Sequence, residues 1–294
     1  MFVIKNEDYA KKLVLPATMA ACPSDNDGVH LNSEPFIQAC IIESVARICG
    51  RTSLTNAQFE LVRSTFGQAD NIMSMDLYDK ASKDPDLGQS RVWSVVTREE
   101  FVPFFVNARA DVWKEWTSDG RIDPKPGALA YLNEFRSTTT KRLFGLVTGM
   151  PYALVGHSVS NVLLADDILP DNRDRRVCCD DPRLEGRGKP DPRGYNLGVG
   201  HFVKTYNISP QDMWMVEDRA NGAVAALSAE YQGEAHEHQG KGIGRVIVIP
   251  DANDVNPISE WDKKGLMLNH LAKHPEDRNR LVFLHSLEDL TFPR

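Results

Sequence analysis

The chain has 294 residues, and its 34 Lys and Arg against 41 Asp and Glu leave a formal net charge of −7. With 41% hydrophobic and 26% charged residues it is composed like an ordinary globular protein, which excludes disorder, collagen-like repeats and a disulfide scaffold, and its acidic balance excludes nucleic-acid binding through bulk charge. The length allows one large domain or two modest ones, and no apolar run nears the ~20 residues that span a bilayer, the longest being short stretches such as Phe101 to Val106 and Val246 to Ile249.

Taken in chain order, Lys11 and Lys12 precede LVLPATMAAC, a basic start and apolar middle that outwardly suggest a lipoprotein signal ending at Cys22. Cleavage there would delete the segment expected to form the first strand, Ala17 to Cys22, so the segment reads as structural, although Pro16 and Pro23 bracket it. Next comes SDNDGVHLNSEP, residues 24 to 35. Asp25 and Asp27, two apart on the way into a glycine turn, could hold a hard divalent cation, one carboxylate acting as nucleophile and the other as acid and base. An ordinary Asp/Asn/Gly turn is the plain alternative.

From Glu34 to about Gly120 apolar residues recur at helical spacing, first Phe36, Ile37, Cys40, Ile41 and Ile48, then Phe101, Phe105, Ala108, Val112 and Trp116. The aromatic run Phe101, Phe104, Phe105, Trp113 and Trp116 reads as the core of this helical stretch, with one face able to line a pocket. After Asp119-Gly120 the pattern changes to short β-rich runs: 142 to 147, 176 to 179, 213 to 216, 245 to 249 and 280 to 284. Several are apolar throughout, as strands covered on both faces are, which predicts a parallel sheet in an α/β fold with its ligand site beyond the strands' carboxyl ends.

Three further features stand at such ends. Thr148-Gly149 offers a hydroxyl and a flexible amide to a phosphate oxygen. GRGKPDP (186 to 192) puts Lys189 in a Gly/Pro loop before a helix, where it serves either as a fixed cation or as a solvated surface charge. Glu217-Asp218 follow MWMV, and a carboxylate pair ending a buried strand is costly unless it meets a cation, so a metal is expected. The segment YQGEAHEHQGKGIG (231 to 244), with His236 and His238, reads as a solvated loop; its GKGIG precedes a strand and so lacks a dinucleotide-loop context. The five cysteines are an odd number, include the adjacent pair Cys178 and Cys179, and lack metal-ligand spacing, which fits a reduced, cytoplasmic compartment.

Together and in this order, Asp25-x-Asp27, Thr148, Lys189 and Glu217-Asp218 resemble the four motifs of the haloacid dehalogenase superfamily of phosphohydrolases. The likeness extends to DGV followed by SEP, PGALAYLNEF (126 to 135), GKPDP and VEDRANGAVAA. It implies an α/β fold in which a Rossmann-like parallel-sheet core (residues 1–36 and 123–294) carries an inserted α-helical cap domain (residues 37–122). That arrangement is similar to the subfamily of phosphoglycolate phosphatase and β-phosphoglucomutase, whose cap closes over the site and selects the substrate.

The resemblance also implies roles. Asp25 would attack phosphorus, and Asp27 would protonate the leaving alcohol and then activate water. Mg²⁺ would be held by the Asp25 carboxylate, the Asp27 carbonyl and the Asp218 carboxylate, with Glu217 supporting from behind. Thr148, the Gly149 amide and Lys189 would bind the phosphoryl oxygens. A carboxylate at Asp27 favours phosphoryl transfer over dehalogenation, so the expected partner is a small phosphorylated substrate, with neither nucleic acid nor membrane. A sugar-phosphate mutase and a non-catalytic binding protein stay open beside a phosphatase. Three departures stand out: Ser24 where a bulky apolar residue is usual, Arg219 where a small Ser is common, with Glu217 or a second anionic group in reach, and the long 231–244 segment. Spacing does not mark the residues that choose the substrate, and Arg47, Arg51, Arg63 and Arg109 each read either as substrate contacts or as plain surface charge.

Overall fold

In the computed structural model, the described residues are 9–65, 70–137, 141–234, 236–250, 261–262 and 264–293. Pro16 opens a turn closed by a hydrogen bond from Met19 N–H to its carbonyl (3.1 Å). The first central strand therefore lies later than the expected Ala17 to Cys22, at Ala21–Ser24. Ahead of it, Leu13–Val14 (β1) pairs in parallel with Leu290–Thr291, a pair too short to leave any periodicity in the sequence.

The next five strands fall on the predicted apolar runs: after β2 (Ala21–Ser24) come β3 (Leu143–Val147), β4 (Arg176–Val177), β5 (Trp214–Glu217), β6 (Arg245–Val248) and β7 (Leu281–Phe283), whereas β8 (Leu290–Thr291), the partner of β1, lies outside them. β2-β3-β4 and β5-β6-β7 form two parallel sheets. They meet along β2 and β5, through an Ala21–Met213 bridge and bonds from Ala20 N–H to Asp212 O (2.8 Å) and Asp25 N–H to Val216 O (3.0 Å). Between these bonds Pro23 has no N–H to donate. Ser24 compensates, its hydroxyl donating to Val216 O at 3.2 Å, so the departure from a bulky residue here is a donor that closes the seam. The chain passes from β2 to β3 and β4 on one side and to β5 on the other, which makes the β2–β5 seam a switch point with a crevice at the strands' carboxyl ends.

Between β2 and β3 the chain is helical, in α1 (Glu34–Ile48), α2 (Asn56–Arg63), α3 (Asp70–Ala81), α4 (Val92–Val95) and α5 (Arg98–Ser118), followed by α6 (Ala128–Asn133). α2 and α5 begin in capping boxes, Thr55 with Gln58 and Thr97 with Glu100, which satisfy amides at the helix starts. Ile41, Val45, Val62, Leu77, Phe101 and Phe105 form a core of their own for this segment. Further along α5, Trp113 and Trp116 leave that core and pack with Phe144, Leu154 and Val155 of the sheet side. The aromatic run is thus divided between two cores by helical periodicity, while Phe104 is 39% exposed. Trp113 Nε1 donates to Ser158 Oγ (2.9 Å) and Asn161 to Thr117 Oγ1 (3.0 Å), which ties α5 to α7 (Tyr152–Ser158) and the residues after it.

α8 (Arg193–Tyr206), α9 (Ala220–Leu227) and α10 (Leu266–Lys273) complete the helices that cover the sheet. The 231–244 segment is not simply a solvated loop, since Tyr231 and Ile243 are buried and Glu230 bridges to Gly242. Its two apolar ends anchor it; His236 adjoins residue 235, outside the described residues, and the His238 side chain is 12% exposed. All five cysteines are unbridged. Among the described residues no helix is long and apolar enough to cross a membrane.

Candidate active site

The carboxyl ends of β2, β3 and β5 deliver Asp25, Thr148 and Asp218 to the crevice, and the loop before α8 brings Lys189. They border a cleft of about 360 Å³ whose lining includes Asp25, Asp27, Gly149, Lys189, Glu217 and Asp218, with Ile37, Cys40, Arg109 and Trp113 on the wall formed by α1 and α5. Asp25, Glu217 and Asp218 are buried, and each offers an oxygen within 4.8 Å of the others. Gly28 holds the turn close: at φ +72° it is in the region that favours glycine, and a Cβ there would stand 2.0 Å from Asp218 Oδ2.

Lys189 is the principal cation of this cluster. Its ammonium is 2.8 Å from Asp25 Oδ1 and 2.7 Å from Glu217 Oε1. Burial works against its charge, but Asp25 and Glu217 outweigh burial and hold it above the ordinary lysine value. Burial pushes the Glu217 carboxyl well above the usual range, with Lys189 opposing. Glu217 Oε1 also accepts from the Tyr195 hydroxyl, whereas its buried Oε2 has no hydrogen-bond partner among the described residues. Three clustered carboxylates, one with an orphaned oxygen, fit a hard divalent cation supplied with oxygen ligands.

Asp27 is held differently. Ser33 donates to its Oδ1 at 2.6 Å and Thr148 to its Oδ2 at 3.2 Å, while Met150 N–H donates to the Thr148 hydroxyl at 3.1 Å. The carboxylate of Asp27 therefore stands outside the three-residue acidic cluster, tethered to the β3 loop. Thr148 is 4% exposed and is not among the residues lining the cleft; its neighbour Gly149 is exposed there, with open space where a Cβ would be.

Behind this shell, the fully buried His30 ring stacks on Tyr131 and meets Phe144 edge-on. Burial lowers its pKa to about 3, so it is neutral. Ser24 spends its hydroxyl proton on Val216 O, so His30 Nε2–H donates to Ser24 Oγ at 3.0 Å, which fixes the tautomer. Below its unfolded value of 6.5 the unfolded chain takes up a proton that the folded protein refuses, so stability falls with pH by about 1.4 kcal/mol per unit from this group alone, until the folded value is reached. His30→Gln is expected to remove about one proton from the pH dependence of urea unfolding between pH 4 and 6; an unchanged slope would show that His30 is not the group responsible.

Sequence reasoning located Asp25, Asp27, Thr148, Gly149, Lys189, Glu217 and Asp218, and the fold brings all of them to one crevice, with Thr148 under its rim. Glu217 lies closer than a supporting position behind Asp218 suggests, its oxygen being one of the three in the cluster. Arg219 does not pair with Glu217; Lys189 and Tyr195 occupy that carboxylate, and Arg219 Nε lies 3.6 Å from Asp218 Oδ2 instead. Sequence reasoning missed Tyr195, on the first turn of α8, and Trp261, whose Nε1 donates to Asp218 O at 2.6 Å. Neither has a motif to mark it. Cys40 was legible only as an apolar helix position, and Trp113 as a member of an aromatic run with one face able to line a pocket.

A family model described as haloacid dehalogenase-like hydrolase matches residues 19–230. No curated protein sequence matches the chain. Among solved structures, the chain is similar to a HAD hydrolase, family IA, variant 3, from Entamoeba histolytica HM-1:IMSS, at 17% identity over 93% of this chain and 96% of that one, with a TM-score of 0.55. It is also similar to a provisionally assigned β-phosphoglucomutase from Thermotoga maritima (20% identity, 92% and 96% covered, TM-score 0.54). A third likeness is to CbbY from Rhodobacter sphaeroides in complex with phosphate (16%, 79% and 86%, TM-score 0.54). At these identities the structures speak for a shared α/β, Rossmann-like fold.

Proposed function

The chain belongs to the haloacid dehalogenase-like hydrolase family, and from that premise we propose that it is a metal-dependent phosphatase that hydrolyses a small phosphorylated metabolite through an aspartyl-phosphate on Asp25. The observation that carries this reading is the meeting of Asp25, Glu217 and Asp218 with Lys189 at the floor of one cleft. Asp25 is the nucleophile, its attacking oxygen oriented by the Lys189 ammonium. Lys189 and the Gly149 amide neutralise the phosphoryl oxygens, so that an anion can approach an anion. Asp27, tethered through Thr148 and Ser33, stands ready to protonate the leaving oxygen and then to take a proton from water. Residues 37–122 act as the cap, and Ile37, Cys40, Arg109 and Trp113 form its wall over the cleft, keeping bulk water from the reacting atoms.

Mg²⁺ is the cation we assign to the acidic cluster, held by Asp25 and Asp218 with Glu217 beside them and the Asp27 carbonyl in support, and it would supply charge neutralisation at the phosphoryl group. A cytoplasmic place accords with the five unbridged cysteines. With Mg²⁺ present, purified protein is expected to release inorganic phosphate from p-nitrophenyl phosphate. EDTA should lower that rate roughly 100-fold or more, and excess Mg²⁺ should restore it. A rate indifferent to EDTA would defeat the metal assignment, and transfer of the phosphoryl group within a sugar phosphate without phosphate release would turn the reading to a mutase.

A further inference from the structure

We propose that Tyr195 is a positioning residue: its hydroxyl fixes the Glu217 carboxylate, and through it Lys189 and Asp25, so that the acidic cluster is set to receive a divalent cation. This rests on the metal-dependent phosphoryl-transfer reading of the same cleft. Tyr195 is fully buried on the first turn of α8, in a core it shares with Val147, Leu184 and Val199. Phenylalanine would fill that core as well, so packing does not account for the hydroxyl. The hydroxyl donates to Glu217 Oε1, the oxygen that also takes the Lys189 ammonium at 2.7 Å. The same ammonium stands 2.8 Å from Asp25 Oδ1 and 5.4 Å from the centre of the Tyr195 ring. One side chain thus meets Glu217 with its polar end and Lys189 with its face.

A chain of contacts therefore runs from the interior outward, from the fully buried Tyr195 and Glu217 to Lys189 and Asp25 at the cleft. A lysine stem is flexible and its ammonium a point charge, so where it aims depends on a fixed acceptor. Glu217 is fixed from two sides. Tyr195 engages Oε1, and Oε2 lies against Gly222 of α9, where a Cβ would stand 2.0 Å from it. With the hydroxyl gone, the carboxylate would be free to turn both oxygens to the ammonium. Lys189 would then hold Glu217 more completely, and this resident cation would compete better with a divalent one for the cluster. Hydrogen-bond partners one layer behind a metal site commonly govern its affinity in this way.

The test is calorimetric and needs no turnover. Wild-type protein is stripped with EDTA, dialysed and titrated with Mg²⁺ alone, beside Tyr195→Phe, Gly222→Ala, Glu217→Ala and the double variant Tyr195→Phe/Glu217→Ala. Tyr195→Phe keeps the ring by Lys189 and removes only the hydroxyl. It is expected to weaken Mg²⁺ binding about tenfold, with a melting temperature in EDTA within a few degrees of wild type. Gly222→Ala displaces the same carboxylate from its other side and should weaken binding in the same direction. In the Glu217→Ala background Tyr195→Phe should add nothing, since the hydroxyl acts through that carboxylate. The proposal is overturned if Tyr195→Phe or Gly222→Ala leaves the affinity intact, whatever happens to the melting temperature. A loss from Tyr195→Phe that is equally large without Glu217 overturns it too. If wild-type protein itself binds no Mg²⁺, the metal reading fails and the proposal with it, an outcome that the first titration separates from the others.

Discussion

Asp25→Asn is expected to lower phosphate release from p-nitrophenyl phosphate by at least about 10⁴-fold while leaving the protein folded. An amide oxygen keeps the shape of the carboxylate but has no charge with which to attack phosphorus. The structural effects are small because they oppose each other. The substitution removes one negative neighbour from an oxygen cluster spanning 4.8 Å, and it also removes one of the two carboxylates facing Lys189. Glu217 retains the lysine, so the melting temperature should stay within a few degrees of wild type. Steady-state phosphate release with circular dichroism melts checks both halves. Activity within tenfold of wild type in a correctly folded variant would remove Asp25 from the role of nucleophile.

Lys189→Met should be damaging in two measurable ways. Methionine nearly matches the lysine stem in volume, so the loss is mainly of charge. It leaves Asp25 and Glu217 buried without the ammonium that stands 2.8 and 2.7 Å from them. Breaking a buried ion pair from one side costs about 3–5 kcal/mol, which urea unfolding in EDTA would register. Loss of a cation aimed at the phosphoryl oxygens lowers kcat by about 10²- to 10³-fold as well. Added Mg²⁺ should raise the melting temperature more in the variant than in wild type, since the acidic cluster then has no resident cation to compete. If stability in EDTA were unaltered, Lys189 would not be the cation that balances these carboxylates.

Much of this was legible in the order of residues because strand ends are legible. An apolar run that stops at a carboxylate, as at Val216 before Glu217, announces a buried strand that delivers charge to one edge, and the parallel arrangement then gathers such edges. The boundaries were less legible: the first strand moved from Ala17 to Cys22 to Ala21–Ser24 because the Pro16 carbonyl closes a turn, a local bond outweighing strand propensity. Ser24, a departure from the pattern when read along the chain, became a donor at the β2–β5 seam. The 231–244 segment looked polar on average, yet two residues, Tyr231 and Ile243, hold it to the body.

What the sequence by itself determined is the chemistry available: two aspartates around a glycine turn, a lysine before a helix, and a carboxylate pair closing a buried strand, together with the alternation of strands and helices that sets their order. Only the tertiary structure decided which groups meet. It gave Glu217 to Lys189 and Tyr195 and placed Arg219 by Asp218. It also turned Arg109 into the cleft while Arg47, Arg51 and Arg63 went to surface ion pairs. The reason is geometric: helical periodicity says which residues share a face, but the packing of α5 against both α1 and α7 chooses what that face looks upon, and burial then makes each charge depend on neighbours distant in the chain.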